Sequence, residues 1–83
     1  MSNTLRNETY DRFRTNLIYW RKKNRLSQSA LARKLGVPPS YICDLENKRR
    51  PGVTLGTVAE IAAALGVSAS TLLAVRQNPV SSA

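Results

Sequence analysis

Side chains able to do covalent or proton chemistry are few in this 83-residue chain. There is no histidine, so the commonest general base is missing. The single thiol, Cys43, can close no disulfide within the chain, and one Cys without His builds no metal site. The acids Glu8, Asp11, Asp44, Glu46 and Glu60 are spread out, with no carboxylate pair at a catalytic spacing. No phosphate-cradling glycine loop or nucleophile motif occurs. The chain is therefore not expected to be an enzyme, and no cofactor, metal or small-molecule ligand is implied. What remains is noncovalent chemistry. Gln28, Ser40, Tyr41 and Asp44 offer hydrogen bonds, and the cation run Lys48-Arg49-Arg50 follows them.

Charge says what such a set could meet. Thirteen Lys and Arg against five Asp and Glu give a net charge of +8. A domain this basic attracts polyanions, of which DNA is the commonest in a cytoplasm. Arg21, Lys22, Lys23, Arg25, Arg33, Lys34, Lys48, Arg49 and Arg50 all lie mid-chain, whereas only Glu60 and Arg76 are charged after Arg50. One half is suited to an anion and the other to packing; a generally solvated basic surface is the plainer alternative. No run is apolar enough to span a membrane, and the N-terminus lacks the apolar core of a secretory signal. The expectation is a cytoplasmic protein with no membrane partner.

The elements that must position these residues are short helices. Phe13, Leu17 and Trp20 recur at i, i+4 and i+7, which predicts a helix over 10–24. Ser27 can cap a second helix over 28–35, which buries Leu31, Ala32 and Leu35 and stops at Gly36. Pro38-Pro39 lead into a third, with Ile42, Leu45 and the stem of Glu46 on one face. Ser40, Asp44 and Asn47 share the opposite face, with Tyr41 and Cys43 at its margins. Pro51-Gly52 marks a turn, and a fourth helix over 55–65 carries Val58, Ile61, Ala62 and Leu65. Ser68 can cap a fifth with Leu72, Leu73 and Val75. No alternating strand pattern is present. The reading is an all-α, five-helix domain over 9–76, with flexible segments at 1–8 and 77–83.

The pattern Ser27-Gln28-x-x-Leu31-Ala32-x-x-Leu35-Gly36-Val37-x-x-x-x-Ile42-x-x-Leu45-Glu46 has a geometric meaning. Two short helices flank a turn at Gly36, small Ala32 lets them approach, and the apolar positions lock them together. That is a helix-turn-helix, whose second helix enters the major groove of DNA.

With Phe13, Leu17, Trp20-Arg21, Leu26, Ile61-Ala62-x-x-Leu65-Gly66-Val67-Ser68 and Leu72-Leu73 added at matching spacing, the chain resembles the XRE family. That family includes the phage Cro and repressor DNA-binding domains. The resemblance implies a lambda-repressor-like fold and binding of double-stranded DNA. It also implies that Gln28 contacts a phosphate or base edge and that Pro39, Ser40, Tyr41, Cys43 and Asp44 lie at base-reading positions. Arg21 and Glu46 occupy positions that pair to fix the fold. Lys48, Arg49 and Arg50 can straddle a phosphate run, with Ser27, Asn47 and Arg33 as further phosphate contacts. Lys22, Lys23, Arg25 and Lys34 are flanking candidates, and Arg12 and Arg14 are less clearly placed.

Three departures from the family pattern matter. Pro38 stands where a Ser or Thr usually caps the third helix, which forfeits about 1 kcal/mol of capping. Lys48 stands where a Gly usually takes positive φ, so either Lys48 is strained or the turn differs. The reading face has no Arg and no paired amide. Asp44 can accept from cytosine N4 or adenine N6, or it can point to Arg49 or Arg50 and order the loop. Cys43 is a redox candidate or a small filler beside DNA. Leu72, Leu73, Val75 and Val80 exceed the needs of one short helix and suggest a homodimer on a palindrome with half-sites about 34 Å apart; alternatively they cap the monomer core. A repressor or autoregulator fits. So do an antitoxin-type or other protein-interaction module and a nonspecific DNA binder.

Overall fold

The computed structural model describes residues 4–5 and 7–75. Val80 and the segment 77–83 lie outside them. In chain order the elements are β1 (Thr4–Leu5), α1 (Asn7–Lys23), α2 (Gln28–Leu35), α3 (Pro39–Glu46), β2 (Val53–Thr54), α4 (Leu55–Leu65) and α5 (Ala69–Leu73). The expected five helices are present, and the bounds of α2 and α4 match the sequence reading to the residue. Helix α1 begins three residues earlier than expected. The absence of strands is corrected: β1 and β2 form an antiparallel ribbon, with Thr4 opposite Thr54 and Leu5 opposite Val53.

The helix ends explain the short elements. Ser27, Thr54 and Ser68 cap α2, α4 and α5, each side-chain oxygen accepting from the backbone N–H three residues on. Pro38 caps α3 without a side-chain bond, and Pro39 takes the first helical position, where a missing N–H has no consequence. The C-termini of α1, α2, α3 and α4 share one motif. After α2, Gly36 is left-handed at φ 72, its N–H bonds to Arg33 O, and Val37 N–H bonds to Ala32 O. Gly66 repeats this after α4. Arg25 repeats it after α1 at φ 58, and Lys48 after α3 at φ 55. The turn at Lys48 therefore keeps its left-handed geometry, and the lysine bears the strain, about 1–2 kcal/mol for an L side chain.

Phe13, Leu17, Leu31, Ile42, Leu45, Val58, Ile61 and Leu72 are fully buried at the centre. Helix α1 buries Tyr10, Phe13 and Leu17, while Trp20 packs partly exposed at the core's edge. Ala32 is fully buried where α2 meets α3, as its small size suggests. Asn16, buried within α1, donates 2.9 Å to Leu72 O and 2.8 Å to Ala74 O. One side chain thus satisfies two carbonyls at the end of α5, which has no left-handed cap. Replacing Asn16 by Ala leaves both carbonyls without that partner. The expected loss is about 1–3 kcal/mol, read from urea unfolding, with faster amide exchange confined first to α5.

Candidate nucleic-acid interface

Behind α3 lies a polar brace. The Arg21 guanidinium from α1 grips the Glu46 carboxylate twice, Nε to Oε2 at 2.6 Å and Nη2 to Oε1 at 3.0 Å. Its Nη1 donates to Leu26 O at 2.8 Å. Gln28 Nε2 donates to Glu46 Oε1 at 2.9 Å. Glu46 is 7% exposed and Arg21 9%, so the carboxylate takes these donors largely out of water. The fork geometry is one that lysine cannot reproduce. The network ties the first three helices together at the end of α3. It also occupies the Gln28 amide, which stays partly buried.

With Ile42, Leu45 and Glu46 turned inward, α3 presents Pro39, Ser40, Cys43, Asp44 and Asn47 outward. Pro39, Ser40 and Asn47 are exposed; Cys43 and Asp44 are partly so. Asn47 donates 2.8 Å to Cys43 O and lies 3.3 Å from its Sγ, which closes the helix end locally. Tyr41 leans away from this row. Its hydroxyl lies 3.5 Å from Thr57 Oγ1 in α4, and the Arg50 guanidinium covers its ring at 4.3 Å. The Ser27 hydroxyl, although exposed, is engaged by Ala30 N–H at 2.9 Å.

The cation run after α3 is not a free row of charges. Lys48 Nζ sits 2.6 Å from Asp11 Oδ1 and 5.9 Å from the Tyr10 ring centre. Arg49 lies 3.7 Å from Asp44, the loop-ordering arrangement considered above. Hydrogen bonding from Lys48 holds the Asp11 carboxyl below its ordinary pKa, whereas burial pushes the Tyr10 hydroxyl up. Lys34 donates 2.8 Å to Ala64 O and so caps the end of α4. Lys22, Arg25 and Arg33 are exposed, and none makes an ion pair among the described residues. Leu72 is fully buried within the chain's own core, so it is no candidate for a surface between copies. Leu73 is partly exposed, and Val75 is 67% exposed.

The contacts of Asp11, Tyr10 and Asn16 leave no pattern in the sequence. Asp11 and Lys48 are 37 positions apart, and no periodicity links them. Among the described residues no cluster of His, Cys, Asp and Glu could hold a metal ion, and no helix is long and apolar enough to cross a membrane.

Two short helices about a left-handed glycine, the second braced from behind and polar outward, define a helix-turn-helix DNA-binding domain. The chain belongs to the HTH_3 helix-turn-helix family, whose model matches residues 17–72. It is similar to a hypothetical transcription factor, NHTF, from Neisseria, at 30% identity and TM-score 0.79, covering 92% of this chain and 86% of that one. It is also similar to an HTH_3 family transcriptional regulator from Vibrio cholerae, at 26% identity and TM-score 0.70, covering 77% and 35%. A third likeness is to hydroxypropylphosphonic acid epoxidase from S. wedmorenis, at 26% identity and TM-score 0.72. It covers 89% of this chain but 44% of that enzyme, so it concerns a minority of the enzyme's length. No curated protein matches the sequence.

Proposed function

We propose that this domain is a non-enzymatic transcriptional regulator that binds double-stranded DNA sequence-specifically, as a homodimer on an inverted repeat, in the cytoplasm. Repression of a promoter overlapping the repeat is the simplest outcome for so small a domain. The observation that carries the reading is the outward row Ser40, Cys43, Asp44 and Asn47 on a helix held rigidly by Arg21, Glu46 and Gln28. A rigid polar helix face is what groove readout requires. Affinity then comes from the exposed Lys22, Arg25, Arg33 and Arg50, with the exposed Ser27 at the start of α2 as a further phosphate contact. Leu73, which ends α5, and Val75, two residues beyond it, are at least partly exposed and available for a symmetric contact. The transcription-factor descriptions of the Neisseria and Vibrio proteins support the same reading.

The test is selection from a random duplex library at two salt concentrations. The expected result is an inverted repeat whose enrichment survives the higher salt. Binding that enriches no sequence and collapses as salt rises would leave only phosphate attraction and overturn specific regulation.

A further inference from the structure

Lys48 occupies a left-handed position at φ 55, where glycine would be unstrained. Its Nζ reaches back to α1 and meets Asp11 at 2.6 Å, with the Tyr10 ring beneath. The next residue closes the turn, Arg49 N–H bonding to Asp44 O at 2.9 Å. The same loop carries Arg50 across the Tyr41 ring. Lys48 and Arg49 are thus each paired with a carboxylate while Arg50 only stacks on a ring, and the Lys48 ion pair is the one that reaches a helix other than α3.

We propose that Asp11 is a positioning residue for the DNA interface: it anchors Lys48, fixes the turn after α3 against α1, and keeps the Lys48 ammonium off the phosphate backbone. The inference rests on the DNA-binding reading for its second half only. Asp11 lies on α1 rather than on α3, and in this reading it acts through Lys48 rather than by touching a base. It sets how many charges the loop offers. Without it, Lys48 becomes one more phosphate ligand, and binding grows less selective.

The test compares wild type, Asp11→Asn, Asp11→Glu and, as a charge-matched control, Glu60→Gln, an exposed α4 site outside the interface. Each is titrated with a short mixed-sequence duplex over a range of salt. Each neutral replacement adds one positive charge, but only Asp11→Asn releases a lysine. It should tighten binding several-fold at low salt and steepen the slope of log K against log salt by about 0.9, one phosphate's worth. Glu60→Gln should not change the slope, and Asp11→Glu should restore it. Without DNA, amide exchange at Arg49 should quicken about tenfold in Asp11→Asn alone. An Asp11→Asn slope equal to that of Glu60→Gln would overturn the phosphate-withholding role. If wild type binds no duplex, the regulator reading fails by itself, and Arg49 exchange decides the anchoring: unchanged protection would sink it.

Discussion

Replacing Arg21 by Ala should lower the unfolding free energy by about 3–5 kcal/mol, because Glu46 is left charged and buried with Gln28 as its remaining side-chain donor. A domain of this length holds about 4–12 kcal/mol in all, so the loss is a large share of the total. The measurement is urea unfolding by circular dichroism. Changing both partners at once, Arg21→Met with Glu46→Leu, should cost clearly less than Arg21→Ala, since no charge is then stranded. A single replacement within about 1 kcal/mol of wild type would show that water reaches the carboxylate and that the brace is not what holds α3.

The second large effect separates binding from folding. Ser40 is exposed in the first turn of α3, one turn before Asp44 on the outward row. Ser40→Glu puts a second negative charge on that row. Stability should hold or rise by a few tenths of a kcal/mol, because an acid suits a helix N-terminus and α3 has none in its first turn. Affinity for the selected duplex should fall at least about 100-fold, or about 3 kcal/mol, through repulsion from the phosphates and a wrong donor–acceptor pattern. Fluorescence anisotropy on the duplex and a thermal melt of the same sample read the two together. Full affinity with an unchanged melting temperature would mean that α3 does not face the groove.

What could be read from the sequence was local. Ser27 and Gly36 bracket α2, and Gly66 stops α4 at Leu65, because caps and left-handed glycines act on their own neighbours. Ile42, Leu45 and Glu46 share the inner face of α3 because a helix repeats every 3.6 residues. The Arg21–Glu46 pair is implied by the XRE resemblance alone, since no period connects positions 25 apart. Asn16 on α5 and Asp11 on Lys48 were not visible: a buried polar contact between distant segments leaves no mark in either segment. Helix α1 extends back to Asn7 through Asn7-Glu8-Thr9, which carry no apolar repeat to announce a helix. Lys48 shows a subtler limit. The missing glycine left two outcomes, a changed turn or a strained lysine, and a contact on another helix stands beside the strained one.

The ribbon of β1 and β2 bears on the order in which the chain assembles. Thr4 and Thr54 are fifty positions apart, and closing a loop of that length from an open chain costs about 3.5 kcal/mol in entropy. Two residue pairs cannot offset that cost alone. Helix α1 must first pack on α3 and α4, which carries Leu5 to Val53 and makes the closure nearly free. The ribbon is then a late seal on the finished domain, absent from the folding nucleus. Loosening it should quicken unfolding and leave the refolding rate where it was.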